Sequence, residues 1–144
     1  MIPKREDVDP NKAGEDGPAP LLLAACDGQE VVVKLLLGWD DVDPDEPDPS
    51  GHAPLSGAAF YGHEGMVILL LKRDDVSSDK PDIHDETSLR WAAAKGHARV
   101  VESILGWDDV NPDRLDEWGW TLLAVAACSG HKGVVKSLLG KKRH

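Results

Sequence analysis

Residues 87–93 read Thr87-Ser88-Leu89-Arg90-Trp91-Ala92-Ala93, followed shortly by Gly96-His97 and an apolar stretch with Val100, Val101, Ile104 and Leu105. Equal steps in either direction from this segment land on matching residues throughout the chain. Leu89 shares a column with Leu21, Leu55 and Leu123, and the alanine pair recurs as Ala24-Ala25, Ala58-Ala59 and Ala126-Ala127. Gly96 is matched by Gly28, Gly62 and Gly130, while His97 is matched by His63 and His131, with Gln29 in the first unit. An acidic turn repeats as Asp41-Val42-Asp43-Pro44, Asp75-Val76-Ser77-Ser78 and Asp109-Val110-Asn111-Pro112. Self-similarity at one fixed period marks a chain of stacked supersecondary units. One period before Asp41 stands Asp7-Val8-Asp9-Pro10. A single domain over 1–144 is therefore expected, with a partial repeat at 1–13 and repeats at about 14–47, 48–81, 82–115 and 116–144.

Each unit reads as two short helices and an extended finger. Pro54 suits a first helical position, where its missing N–H costs nothing. Thr87 and Thr121 occupy the preceding column and can cap, whereas Ala19 and Ala53 cannot, a loss of roughly 1 kcal/mol each. The column glycine lets the first helix stop. The second helix carries an apolar stripe: Met66, Val67, Leu69, Leu70 and Leu71, then Val100, Val101, Ile104 and Leu105, then Val134, Val135, Leu138 and Leu139. Helices this short are marginal in water and are held by stacking on neighbours. Asp- and Pro-rich stretches such as 43–54 cannot continue a helix and read as turns. The fold class expected is all-α, a solenoid of helix-turn-helix units with projecting fingers.

Composition narrows the function. The chain has 144 residues, 41% of them apolar, which is enough for a buried core. Against 16 Lys and Arg stand 26 Asp and Glu, a formal charge of −10, which disfavours nucleic acid and anionic lipid as partners. No apolar run approaches the roughly 20 residues of a membrane span. Two cysteines cannot build a disulfide framework, so an intracellular protein, cytoplasmic or nuclear, is expected.

These columns resemble the ankyrin repeat, whose signature is a Thr-Pro-Leu-His-x-Ala helix start and a Gly-His turn before a Val- and Leu-rich helix. The start stands here as Ala53-Pro54-Leu55-Ser56-Gly57-Ala58-Ala59 and as Thr87-Ser88-Leu89-Arg90-Trp91-Ala92-Ala93, and the turn as Gly62-His63, Gly96-His97 and Gly130-His131. The length of the unit, one step from Leu55 to Leu89, and the Arg-Trp variant of the start look like ankyrin units common in fungal proteins. The histidine of the family's helix start is replaced by Leu22, Ser56, Arg90 and Ala124, so its hydrogen bond to the turn threonine is expected to be missing. Asp85 replaces the finger glycine found as Gly17, Gly51 and Gly119. The first unit, with Leu21-Leu22-Leu23 and Val31-Val32-Val33, is more apolar than a capping unit. A segment of a longer array is the expectation, with self-association through uncapped ends.

No catalytic, metal or cofactor site is expected. His63, His97 and His131 lie one repeat apart, about 8–10 Å, too far to share a zinc at about 2 Å. They read as structural turn histidines. Cys26 and Cys128 share a column three repeat steps apart, roughly 25–30 Å, beyond disulfide reach. Asp41, Asp43 and Asp45 alternate as an EF-hand opens, but Glu46 and His52 occupy the positions that require Gly and Glu.

The resemblance implies a non-catalytic protein-interaction module that uses its finger tips and the exposed, concave side of its first helices. Carried onto those columns, the partner-binding residues are Phe60, Tyr61, Trp118, Trp120, His52, Ile83, His84 and Lys95. Large exposed aromatics bury much area at low entropic cost. With acidic fingers beside them, a protein partner bearing a basic patch next to apolar pockets is the natural complement. Asp48, Asp82 and Asp116 are expected to shape the fingers, and Trp91 to pack between units. Trp39 and Trp107 are expected to cover helix ends. A structural spacer in a larger scaffold or sensor, or an engineered ankyrin binder, are the alternative readings.

Overall fold

The computed structural model describes residues 8–12, 17–107 and 110–140, and the expected partial unit at 1–13 therefore lies largely outside the described residues. Eight helices are found among the described residues, and no strand. They are α1 (Pro20–Cys26), α2 (Glu30–Leu37), α3 (Pro54–Phe60), α4 (Glu64–Leu71), α5 (Ser88–Lys95), α6 (Ala98–Leu105), α7 (Leu122–Cys128) and α8 (Lys132–Gly140). Odd helices pack in series, α1 on α3, α3 on α5 and α5 on α7, and behind them α4 packs on α6 and α6 on α8. None of the described helices is long and apolar enough to cross a membrane.

The helix starts follow local chemistry. Thr87 Oγ1 accepts the Arg90 N–H at 3.3 Å, and Thr121 Oγ1 accepts the Ala124 N–H at 3.1 Å. Ala53 has no capping group, but Ser56 supplies half of a capping box. Its hydroxyl accepts the Ala53 N–H at 3.0 Å and donates to the Ala53 carbonyl at 2.9 Å. The Ala53 deficit is thus partly offset, whereas Ala19 keeps its full cost.

One core runs through the units, with Leu21, Leu55 and Leu89 beside the alanine pairs of the first three units, and Met66, Val67, Leu70, Val100, Val101 and Ile104 behind. In the fourth unit Leu122 and Ala126 join it, and the column leucine Leu123 is 37% exposed. Gly57 lets α3 approach α1 closely, since a Cβ there would lie 2.6 Å from Cys26 Sγ. The stacking columns open at the end units. Val32 is 42% exposed, although Met66, Val100 and Val134 in its column are at most 1% exposed. Leu139, expected in the buried stripe, is 68% exposed, whereas its column mates Leu71 and Leu105 are buried. Interior burial comes from a neighbour on each side, and α2 and α8 have a described neighbouring unit on one side only.

The turn histidines link successive units. His63, His97 and His131 each place Nε2 at 2.8–2.9 Å from a carbonyl oxygen of the preceding unit, those of Cys26, Phe60 and Ala94. A carbonyl only accepts, so Nε2 carries the proton. Each ring lies on the column glycine before it: a Cβ on Gly62 (φ 76°) would meet His97 Nδ1 at 2.6 Å. Both the left-handed backbone and the ring therefore demand glycine.

The acidic turns form a second link. Asn11 Oδ1 accepts the Asp43 N–H at 2.8 Å, Asp45 Oδ2 accepts the Ser77 N–H at 2.8 Å, and Asp79 accepts the Asn111 N–H. Acceptors and donors each recur at the repeat period. Asp43 Oδ1 also accepts the Asp45 N–H at 2.9 Å, so these carboxylates serve the turns themselves. Among the described residues, no group of three or more His, Cys, Asp or Glu side chains is arranged to hold a metal.

Candidate functional site

The second, third and fourth fingers are each tied by the aspartate that opens them. Asp48 Oδ1 accepts the Ser50 and His52 N–H groups, each at 2.9 Å. Asp82 Oδ1 accepts those of His84 and Glu86 at 2.9 and 3.0 Å, and Asp116 Oδ1 those of Trp118 and Trp120 at 2.9 and 2.8 Å. Each aspartate N–H in turn donates to a carbonyl four residues on, those of His52, Glu86 and Trp120. The finger-shaping role expected of the three aspartates is thus what the geometry shows. Asp85 takes the left-handed conformation at φ 62° that Gly51 and Gly119 take in their fingers.

Neighbouring fingers are joined. The Ile83 N–H donates to the Ser50 carbonyl at 3.1 Å, and His52 lies between Asp48 and Asp82, with Nδ1 at 3.4 Å and Nε2 at 3.2 Å. Asp82 Oδ2, the oxygen that His52 faces, also accepts the Trp91 indole N–H at 3.1 Å. Burial pushes the Asp82 carboxyl upward, but the Glu86 and His84 N–H groups, the Trp91 indole and His52 outweigh it and hold the group below its ordinary value.

Arg90 stands where the family places its helix-start histidine, and in place of a bond to the turn threonine its side chain reaches into the next unit. Its buried guanidinium meets Glu86 at 3.3 Å and Asp116 at 3.4 Å, and donates to the Arg114 and Trp120 carbonyls at 3.1 Å each. The third and fourth fingers are therefore locked by a longer side chain than histidine.

The expected contact residues fall into two groups. His52, Phe60 and Tyr61 border an opening of about 230 Å3 that runs from Pro18, Leu22 and Cys26 across Gly57 to Trp91. His84, Trp118 and Trp120 border one of about 840 Å3, with Glu86, Trp91, Glu117 and Val125. Ile83 is exposed on its finger and Lys95 on α5, and neither lines either of these two openings. Trp118 is 73% exposed, Tyr61 55% and Trp120 47%.

Phe60 departs from the outward-facing expectation and is only half-exposed. Its ring meets Tyr61 at 4.8 Å and Trp91 at 5.2 Å between centroids, and Lys95 Nζ sits 4.7 Å above it. Trp91 does pack between units, as its contacts with Phe60 and His52 show, yet it also walls both openings. Sequence reasoning passed over that second role. The available signal was its column, in which the other units carry Leu23, Gly57 and Val125. Trp39 is half-buried against the core, as expected of a helix-end cover, while Trp107 stays 41% exposed.

Cys26 and Cys128 are free thiols. Burial, with Asp27 and Asp48 nearby, pushes the Cys26 thiol above its ordinary value, the opposite of what a nucleophile requires.

No curated protein matches the chain. The family described as Ankyrin repeats (3 copies) matches it over residues 1–82 and again over 74–144. Repeats of this family are generally protein–protein interaction modules, and proteins built from them are typically non-catalytic. With paired helices, Gly-His turns and projecting fingers recurring at one fixed period, and family matches spanning its length, the chain belongs to the ankyrin-repeat family.

Proposed function

We propose that this chain is a non-catalytic module that captures a partner protein through its fingers and first helices. The contact set is Phe60, Tyr61, Trp118, Trp120, His52, Ile83, His84 and Lys95, with Trp91 beneath it. The observation that carries this reading is the pairing of exposed Trp118 and Trp120 on one finger, beside an opening of about 840 Å3. Two indoles left in water on an aspartate-braced turn are preorganised anchors, and burying them on a partner returns area at little ordering cost. Their acidic neighbours Glu86, Asp116 and Glu117 make a basic patch beside apolar pockets the complementary surface. The test is affinity capture from cell lysate with the parent chain and a Phe60/Tyr61/Trp118/Trp120 alanine variant of matched helicity. A protein retained by the parent and lost by the variant supports the reading. Identical capture profiles overturn it.

The open end columns favour a second interaction, between copies of the chain. Val32 at one end and Leu139 at the other occupy columns that are buried between interior units, so two copies can stack end to end as their own units do. Sedimentation velocity across a concentration series checks this. Val32→Lys with Leu139→Lys should abolish any concentration-dependent growth, and a parent that sediments as a monomer throughout would refute it.

A further inference from the structure

The two openings flanking Trp91 differ in chemistry. Both are walled mainly by apolar surface, and the smaller has Leu22, Phe60 and Tyr61 around the Gly57 backbone with one carboxylate, Asp48. The larger sets the indoles of Trp91, Trp118 and Trp120 beside the carboxylates of Glu86, Asp116 and Glu117. Arg90 also lines it, but this guanidinium is buried and committed to Glu86, Asp116 and two carbonyls, so it is not free for a ligand. Acid crowding persists despite it: burial, then Asp116, Asp82 and Glu117, raises the Glu86 carboxyl against the pull of Arg90. Exposed indole faces under a negative potential favour a cation. Beside the smaller opening the chain already makes such a contact, with Lys95 Nζ 4.7 Å above the Phe60 ring.

The openings also have a set separation. The smaller lies between the first and second units, the larger between the third and fourth. Two repeat steps at about 8–10 Å each give about 16–20 Å, which an extended chain rising about 3.3 Å per residue covers in about five or six residues.

We propose that the two openings together bind one extended peptide segment, with an arginine seated against Trp118, Trp120 and Glu117 and an apolar side chain, about five or six residues away, in the smaller opening against Phe60 and Tyr61. Arginine fits better than lysine, because a planar guanidinium stacks on indole while its N–H fork pairs with a carboxylate. This assignment rests on the interaction-module reading and adds the ligand's charge and spacing.

The test is selection of a randomised peptide library of about twelve residues on the immobilised chain, with fluorescence-anisotropy titration of the enriched peptides. They should carry an arginine with a large apolar residue about five or six positions away. Affinity should fall at least about tenfold in Trp118→Ala and in Glu117→Lys, and by as much when the peptide's arginine becomes glutamine. Trp118 and Glu117 are exposed, so circular dichroism of both variants should match the parent. Tyr61→Ala should weaken the parent peptide but not one whose apolar residue is already alanine. Enriched peptides without a cation, acidic peptides, or affinity indifferent to Glu117→Lys would overturn the assignment, as would a library with no enrichment. Peptides that lack a cation yet fail on Trp118→Ala would overturn the arginine assignment alone and leave the interaction-module reading standing.

Discussion

Arg90 on α5 places Nη2 3.1 Å from the carbonyl oxygen of Trp120, 30 residues further along the chain. The same guanidinium holds Glu86 on its own finger and Asp116 on the next, so one side chain fixes the position of the tryptophan-bearing finger. Arg90→Ala leaves two partly buried carboxylates and two carbonyls without their donor, which costs about 3 kcal/mol. Urea denaturation should show that loss. Amide exchange at Trp118 and Trp120 should accelerate more than exchange in α3 and α4, and uniform acceleration would contradict the local role.

His97 and Gly62 form an interlocking pair of a different kind. The imidazole bridges to the Phe60 carbonyl at 2.9 Å and fills the space where a Gly62 Cβ would sit. Gly62→Ala therefore meets both a left-handed backbone and a ring contact, and costs about 2–3 kcal/mol. His97→Ala alone costs about 1–2 kcal/mol through the lost bond. The double variant should be less damaging than the sum, by about 1 kcal/mol, because truncating the ring relieves the clash. Strict additivity in urea denaturation would refute the interlock.

The stacking columns were legible because burial between neighbours repeats with the chain: Leu21, Leu55 and Leu89 share one environment, and only at the end unit does the same column open, with Leu123 37% exposed. The finger aspartates were legible too, since an Asx turn is local chemistry. Arg90 was not, because its partners in the next unit lie 24–30 residues away and its column holds a different residue in every unit. Nor was the half-burial of Phe60, which arises because Trp91, tethered to Asp82, leans against it from the next unit. A column identifies a position in the repeat, whereas the reach of a long side chain depends on what the adjacent unit offers it.

Trp118 and Trp91 should separate binding from stability. Trp118 is 73% exposed, so Trp118→Ala should change unfolding free energy by no more than about 0.5 kcal/mol. Trp91 packs on Phe60 and His52 and donates to Asp82, so Trp91→Ala should cost about 2–3 kcal/mol. Thermal and urea unfolding of the two variants decide the matter. A larger loss in Trp118→Ala would mean that its finger is held by the indole instead of by Asp116.

The acceptor column Asn11, Asp45, Asp79 yields a pH prediction with a definite sign. Burial is the main cause raising the carboxyls of Asp45 and Asp79 above their ordinary value of 3.8, against the N–H bonds they accept from Ser77 and Asn111. A carboxyl raised in the folded state opposes folding while it is ionised. The chain then regains stability as pH falls through the folded value, and the effect is gone below about 3.8, where both states are protonated. Asparagine keeps the acceptor oxygen without the charge, as Asn11 does for the Asp43 N–H at 2.8 Å. Asp45→Asn and Asp79→Asn should thus stabilise at pH 7 by a few tenths of a kcal/mol each, since solvent screens these turns, and the gain should fade on acidification. Asp82→Asn should behave oppositely. Its carboxyl is held below the ordinary value, so the substitution removes stability at pH 7, and that deficit should persist until pH falls through the lower folded value. Thermal unfolding of the three variants from pH 7 to pH 3 reads all of this. A stabilising Asp82→Asn, or an Asp45→Asn gain that grows on acidification, would reverse the assignment.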